Sequence, residues 1–206
     1  MIVSVLQENL LRALSRTSRI LSARPQLPVL SMALIEAGPG RLTITTTNME
    51  TTEIVSVAAK TEKEGSTCVS SRLLTELISS LRPDTVTLSV EDGALLVSSG
   101  RTRATIPGAP SSEFPPVAVQ EGKGTPIEKK EISAALSRVL FAAAIDDSRP
   151  LLTGVVLKKQ KDDLVIAATD GYRLSVSTVG LSFSEDDNLV VPARALAEVV
   201  KVGNEE

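Results

Sequence analysis

Apolar residues near the start of the chain recur first with helical spacing and then with the alternation of strands. Over residues 7–22 the pattern predicts an amphipathic helix, because four leucines cluster on one side of a helical wheel: Leu6, Leu10, Leu14 and Leu21. The next segments are rich in Thr, Val and Ile, which is typical of strands. We expect these strands at 29–36, 41–47 and 51–59.

A second helix and a second set of strands follow. The spacing of apolar residues predicts a helix over 71–81 with one buried face, formed by Leu73, Leu74, Leu77, Ile78 and Leu81. Alternating Val86, Leu88 and Val90 then predict a strand, and Glu91-Asp92-Gly93 predicts a hairpin turn. Strands are expected at 94–98 and 101–106.

The chain also repeats itself at an offset of 122 residues. Ala13-Leu14-Ser15-Arg16 returns as Ala135-Leu136-Ser137-Arg138, and Leu42-Thr43-Ile44 returns as Leu164-Val165-Ile166. A third match pairs residues 69–74 with 191–196. A fourth pairs Arg24-Pro25-x-Leu27 with Arg149-Pro150-x-Leu152 at an offset of 125, which implies a three-residue insertion. Four matches in one order indicate two copies of one domain.

The repeat predicts the domain organisation. We expect domain one at 1–107, a Pro-, Ser- and Gly-rich linker at 108–124, and domain two at 125–206. In domain two the expected elements are helices at 129–144 and 192–202 and strands at 152–158, 163–169 and 173–179. The second copy has no counterpart of the final strands of the first, so we expect it to be incomplete at its C-terminus. Each copy reads as helix, strands, helix, strands, which predicts an α+β fold.

The amino-acid composition excludes several kinds of catalytic and metal-binding site. The 206 residues include no His and one Cys, which excludes a Ser-His-Asp triad, a His-ligated metal and an internal disulfide. A net charge of −3 argues against a chain that is basic throughout, but it permits a local basic face. The N-terminus lacks a basic n-region, and no apolar run reaches the ~20 residues that cross a bilayer. We therefore expect a cytoplasmic protein with no membrane partner, no metal and no other cofactor.

Five segments carry a family resemblance: RPQLPVLSMALIEA, LTITTTNME, RPLLTGVVL, AATDGYRLSV and VVPARAL. Together they resemble the β subunit of bacterial DNA polymerase III, the sliding clamp family. The most specific part is AATDGYRL after RPLLTG, and the match runs in order along essentially the whole chain. The resemblance implies the DNA-clamp fold, in which antiparallel sheets lie outside and helices lie on the inner face. It also implies a subunit of three such domains, of which the third is absent here.

The resemblance implies a function as well. In that family two subunits close head to tail into a ring around duplex DNA. This chain would then be part of a processivity factor, an accessory subunit of a DNA-directed DNA polymerase with no catalytic residues of its own. The implied partners are duplex DNA of any sequence, the replicative polymerase, the clamp loader and other proteins that bind through short peptide motifs.

The first predicted helix suits a ring that slides, because sliding needs phosphate attraction without base contacts. Arg12, Arg16 and Arg19 lie opposite the leucine face of the wheel, although an ordinary solvated helix face would look the same. The resemblance adds Arg24 as a candidate for DNA contact, and the second copy of the repeat adds Arg138 and Arg149 for the same role. Arg24 matches a DNA-contacting arginine of the family, and its alternative role is to anchor the loop beside Pro25.

The family's pocket for partner peptides corresponds to six residues of domain two: Leu152, Thr169, Gly171, Tyr172, Arg173 and Leu174. Apolar walls, a glycine that permits close approach, and an Arg and a Tyr at the rim suit a peptide ligand. The alternative is a plain strand-turn-strand in which Gly171 serves only the turn.

The family's subunit interface corresponds to Arg72, Arg101 and Arg103 of domain one. Family members often carry a bulky apolar residue after the last of these, whereas this chain has Ala104, which predicts a weaker interface. The alternative is an edge strand guarded by charge against aggregation.

Two other functions remain open at this point. Three acidic pairs could bind a divalent metal for hydrolysis: Asp146-Asp147, Asp162-Asp163 and Asp186-Asp187. A truncated two-copy protein could instead hold partner peptides without forming a ring. Steep salt dependence of DNA binding would separate a clamp from such a module.

Overall fold

The computed structural model describes residues 1–21, 25, 27–117, 126–146, 148–181 and 188–204. The chain divides into two compact units, Met1–Val119 and Gln120–Glu206. No helix among the described residues is long and apolar enough to span a membrane.

The first unit is a bent antiparallel sheet that holds two helices. Its elements are β1 (Ile2–Leu6), α1 (Gln7–Thr17), β2 (Met32–Gly38), β3 (Arg41–Thr47), β4 (Thr52–Ala58), β5 (Lys60–Lys63), β6 (Gly65–Ser70), α2 (Ser71–Ser80), β7 (Thr85–Glu91), β8 (Ala94–Ser99) and β9 (Thr102–Ala109). The strand order is β4-β3-β2-β6-β9-β8-β7-β1-β5. Only Cys68↔Ala109 and Val69↔Gly108 join β6 to β9, so the two halves of the sheet meet along a short seam.

The core of this unit lies between the helices and the inner face of the sheet. Leu10, Ala13, Leu14 and Thr17 are buried on α1, with the spacing of a single helical face. The Gln7 amide, also buried, donates a 2.7 Å hydrogen bond to the Ile78 carbonyl and so ties α1 to α2.

The second unit repeats part of this plan. Its elements are α3 (Lys129–Val139), β10 (Gly154–Gln160), β11 (Asp163–Thr169), β12 (Leu174–Gly180), β13 (Asn188–Pro192) and α4 (Ala193–Asn204). The order β12-β11-β10-β13 matches β4-β3-β2-β6 of the first unit. The core joins Leu136 and Val139 of α3 to Val155, Ile166 and the other inward-facing residues of the sheet. The predicted α+β fold of duplicated helix-and-strand units with antiparallel sheets is confirmed.

The offset of 122 residues is uniform, so the inferred insertion is wrong. The 3₁₀ turn Pro28–Ser31 precedes β2 as the 3₁₀ turn Pro150–Thr153 precedes β10. Pro150 therefore corresponds to Pro28 and not to Pro25. By the same register Arg149 corresponds to Leu27, which removes the pairing of Arg149 with Arg24.

Several predicted boundaries shift because turns of 3₁₀ helix replace regular structure. The helix predicted at 7–22 is α-helical only to Thr17 and continues as 3₁₀ over Ser18–Ile20. The helix predicted at 129–144 likewise changes to 3₁₀ at Leu140–Ala142. The strands predicted from 29 and 152 begin at Met32 and Gly154, because a 3₁₀ turn precedes each.

Some predicted burial is also wrong. Leu6 is 57% exposed, because it is the extended N-cap residue of α1 and lies off the helical wheel. Leu73 is exposed on the first turn of α2, whereas Leu74 and Ile78 are buried as expected. Four strands were not predicted, since each is short and adjoins a helix or another strand: β1, β5, β6 and β13.

Part of the predicted linker is folded onto the first unit. The strand predicted to end at 106 extends to Ala109. Ser66 donates a 2.8 Å hydrogen bond to Ser111, and Phe114 is buried. The first half of the segment 108–124 therefore packs on the first unit and is not a free linker.

We expect Ile44→Ala to destabilise the first unit by about 2–5 kcal/mol, because Ile44 is fully buried on β3 and its truncation leaves a cavity. The matched control is Ile54→Ala on the neighbouring β4, where Ile54 is 44% exposed. That change should cost less than about 1 kcal/mol. Denaturant unfolding measures both values, and equal losses would contradict the assigned faces.

Candidate functional site

The loop between β11 and β12 contains three of the six predicted pocket residues, Gly171, Tyr172 and Arg173, and two more flank it: Thr169 at the end of β11 and Leu174 at the start of β12. The Thr169 hydroxyl donates to the Arg173 carbonyl at 2.7 Å and accepts from the Gly171 N–H at 3.0 Å. Asp170 Oδ1 accepts from the N–H groups of Tyr172 and Arg173 at 2.9 and 3.0 Å. Short polar side chains that bind their own backbone hold such loops in one conformation.

The same bonds set the charge of the loop. The N–H groups of Arg173 and Tyr172 lower the pKa of Asp170, and the Arg173 charge adds to the effect. Arg173 Nε donates to Asp170 Oδ2 at 2.9 Å. The Arg173 guanidinium carbon also lies 5.5 Å from the centre of the Phe141 ring, within the range of a cation–π contact. Arg173 thus contacts both the loop and the 3₁₀ turn that follows α3.

The first unit contains the same loop between β3 and β4. Thr47 Oγ1 accepts from the Met49 N–H, and Asn48 Oδ1 accepts from the N–H groups of Glu50 and Thr51. These bonds match those of Thr169 and Asp170 at the offset of 122 residues. Thr169 and Asp170 therefore shape the turn in the second unit as Thr47 and Asn48 do in the first.

Gly171 does more than permit the turn. Its φ of +92° falls in the left-handed region, but Met49 adopts +76° at the matching position of the first unit. A Cβ at Gly171 would lie 3.1 Å from Nη1 of Arg149 and 4.0 Å from Cδ1 of Leu152. The absent side chain thus allows the loop to approach Arg149 and Leu152, which brings the predicted Leu152 to the site.

Two side chains of the loop project into solvent. Tyr172 is 93% exposed and Leu174 is 68% exposed. Three further exposed apolar residues, which sequence reasoning missed, lie in the preceding segments: Phe141, Ile145 and Leu151. The available signal was the presence of large apolar residues near the end of the helix predicted at 129–144 and just beyond it. Exposed apolar side chains around an ordered loop are typical of a docking surface.

The predicted DNA-contact residues have different surroundings. Arg12 and Arg19 are exposed on α1 and the 3₁₀ turn after it, whereas Arg16 Nε donates to Glu53 at 2.8 Å. Arg138 is exposed on α3. Arg149 lies against the Gly171 loop and not on a helix face. Arg24 lies outside the described residues.

The predicted interface residues lie on different elements of the first unit: Arg72 on α2, Arg101 in a turn, and Arg103 and Ala104 on β9. Arg72 Nε donates to Glu76 at 2.8 Å within α2, and this contact raises the pKa of Arg72. Arg101 lies in the turn between β8 and β9. Arg103 is exposed on β9 opposite Ser98, and Ala104 beside it is half-buried.

The members of the acidic pairs that the structure describes lie at bends or turns of the chain. Asp146 accepts hydrogen bonds from Ser148, which lower its pKa. Asp162 and Asp163 are exposed at the turn between β10 and β11. Asp147, Asp186 and Asp187 lie outside the described residues. Within the described part of the chain no three Cys, Asp or Glu residues are grouped so as to hold a metal ion.

Cys68 is fully buried on β6. Burial raises the pKa of its thiol to about 11, and Glu113 and Glu36 add to the shift. The thiolate, which is the reactive form, is therefore scarce at neutral pH.

Comparison with known proteins places both units in one family. The family model described as "DNA polymerase III beta subunit, N-terminal domain" matches residues 1–118, and the one described as "central domain" matches residues 126–206. The beta sliding clamp from Micrococcus luteus is 31% identical to this chain over 92% of its residues. The beta sliding clamp from Synechococcus elongatus is 33% identical over 95% of them. The chain spans only 62% and 54% of their length.

A solved structure gives the same result. The DNA polymerase III subunit beta from Pseudomonas aeruginosa matches the whole chain with a TM-score of 0.91 at 28% identity. The match covers 57% of that structure's chain.

The pKa of Asp170 predicts a pH-dependent loop. A lowered folded-state pKa contributes stability that is complete above the ordinary value of about 3.9 and is lost as pH falls through the folded value. The amide NMR shifts of Tyr172 and Arg173 should therefore move together in acid, with a midpoint below about 3.9.

Asp170→Asn is the matched control, because Asn48 forms the same turn in the first unit. This variant should keep the loop and remove the acid transition. A midpoint at or above about 3.9 in the unmodified protein would contradict the assigned bonds.

Proposed function

The chain belongs to the family of DNA polymerase III β subunits, the bacterial sliding clamps, and from that premise we propose that it works within a ring-shaped homodimer that encircles duplex DNA. The ring would tether the replicative polymerase during DNA replication and so act as a processivity factor. The observation that carries this proposal is the match of both units, in order, to two consecutive domains of the family.

The helices support the DNA part of the proposal. In each unit one helical face is buried against the sheet and the opposite face is open to solvent. Arginines lie on the open faces, namely Arg12 and Arg19 in the first unit and Arg138 in the second. Such cations attract phosphate without reading sequence, which a sliding protein requires. The family resemblance makes Arg24 a further candidate for phosphate contact.

The Gly171 loop supports the partner part of the proposal. Loop bonds fix its backbone, and Tyr172 and Leu174 project from it beside Arg173. A rigid loop with exposed apolar anchors costs little entropy when a peptide binds. We propose that the polymerase, the clamp loader and other partners dock short peptide motifs here, against Leu152 and this loop.

The remaining parts of the proposal follow from the same premise. Catalysis belongs to the tethered polymerase, and this protein acts as its accessory subunit in the cytoplasm. Tethering raises the rate of polymerase rebinding through a high effective concentration. Arg72, Arg101 and Arg103 would face a partner subunit, with Ala104 giving a small contact.

Truncation of the loop anchors should weaken peptide binding. Leu174→Ala and Tyr172→Ala are each expected to reduce affinity for a synthetic peptide carrying a partner's apolar motif by about 10- to 100-fold, as expected for the loss of one buried apolar anchor. Calorimetry measures the affinities. Leu73→Ala is the matched control, because Leu73 is exposed on α2 of the first unit. Unchanged affinity in both loop variants would contradict the pocket.

Loss of a cation from α1 should reduce the salt dependence of DNA binding. Arg12→Ala is expected to lower the slope of log affinity against log salt by about 0.9, the value for one phosphate contact on duplex DNA. Fluorescence anisotropy with a labelled duplex gives the slope. Arg41→Ala is the control, because Arg41 is an exposed arginine of the same unit that lies on strand β3 and not on a helix. An equal change in both variants would indicate attraction by net charge and not by the helix face.

A further inference from the structure

We propose that Glu53 is a positioning residue that withholds the charge of Arg16 from DNA, and that Arg138, its counterpart in the second unit, keeps its charge available because Ser175 replaces the glutamate. The inference rests on the proposed function. It assigns unequal DNA contacts to two arginines that the repeat makes equivalent in position.

Glu53 stands where an apolar residue is expected. On β4, exposed Thr52, Ile54 and Ser56 alternate with Val55 and Val57, which pack against the core. The side chain of Glu53 lies on the inner side with these valines and is 13% exposed. Burial of a carboxylate is costly unless the charge is paired.

Arg16 supplies that pairing. Its Nε donates to Glu53 Oε1 at 2.8 Å, and its side chain is 33% exposed. Glu53 Oε2 is buried with no hydrogen-bond partner. The carboxylate is thus committed to Arg16, and the pair as a whole carries no net charge. A neutral pair attracts phosphate weakly and displaces few counterions.

The second unit has the same helix and strand without the acid. Arg138 and Ser175 occupy the positions of Arg16 and Glu53 at the offset of 122 residues. Ser175 Oγ donates to the backbone carbonyl of Arg138 at 2.7 Å and leaves the guanidinium unopposed. Arg138 has no ion-pair partner among the residues that the structure describes.

The surroundings of Arg138 are open to solvent. It lines a groove of about 370 Å³ between α3 and β12, together with Lys130, Glu131 and Thr178. Lys130 and Arg138 supply two cations at this groove against one acid, Glu131. A phosphate oxygen can therefore meet an unneutralised cation here, whereas the charge of Arg16 in the first unit is balanced by Glu53.

The test measures the salt slope of duplex DNA binding in exchanged variants. Glu53→Ser gives the first unit the residues of the second, and Ser175→Glu gives the second unit the acid of the first. Glu53→Ser should steepen the slope by about 0.9, and Ser175→Glu should reduce it by the same amount. When the salt concentration rises from about 50 to 200 mM, a slope change of about 0.9 alters the accompanying loss of DNA affinity by about 3.5-fold.

Single substitutions of the two arginines are measured in the same way. Arg138→Ala should reduce the slope by about 0.9, whereas Arg16→Ala should leave it unchanged unless Glu53 is also replaced. Glu53→Gln is the second variant if Glu53→Ser unfolds. Glu36→Gln is the control for net charge, because Glu36 is exposed on β2 and does not contact Arg16. Thermal melting checks the fold of each variant.

The outcomes separate the inference from the proposed function. Equal loss of slope in Arg16→Ala and Arg138→Ala, or no response to Glu53→Ser and Glu53→Gln, would overturn the inference while DNA binding stands. A steepening in Glu36→Gln equal to that in Glu53→Ser would also overturn it. Absence of salt-dependent DNA binding in the unmodified protein would overturn the proposed function, and the inference with it.

Discussion

The burial of one face of each helix against the inner face of its sheet is the interaction on which the other features depend. Leu10 and Leu14 of α1, and Leu136 of α3, are almost completely removed from solvent. Each such leucine contributes roughly 1.5–3 kcal/mol by burial. Because the apolar face is committed to the core, the opposite face must meet solvent, and its side chains are free to vary.

The duplication separates scaffold from function. The loops after β3 and β11 share one hydrogen-bond pattern, formed by Thr and Asn in the first unit and by Thr and Asp in the second. Against this common scaffold, two substitutions change the local contacts. Gly171 stands in place of Met49 and lies close to Arg149. Ser175 stands in place of Glu53, and within the described part of the chain Arg138 forms no ion pair of the kind that Glu53 forms in the first unit.

Much of the fold could be predicted because its signals are local. The helical spacing of α1 and α2, the strands at 41–47 and 163–169, and the repeat itself can be read from short windows. The short strands β1 and β6 could not, since they are defined by pairing with distant partners. The inferred insertion failed because Pro25 and Pro28 offer two alignments, and only the 3₁₀ turn shows which one is structural.

The candidate site also has parts that the sequence predicts and parts that it does not. Resemblance to a family identified the Gly171 loop, because its residues are contiguous. The contact between Arg16 and Glu53 joins residues far apart in sequence, and no local pattern marks it. The exposure of Phe141 beside Arg173 likewise depends on how the end of α3 packs.

The most direct test of the central claim is topological. The complete natural product of the gene that encodes this chain is loaded onto nicked circular DNA, separated from free protein at a salt concentration that abolishes ordinary binding, and the DNA is then cut once. A sliding ring should stay on the circle and leave the cut DNA, because it slides off an end. Equal retention on cut and uncut DNA, or no retention on the circle, would contradict the proposed ring.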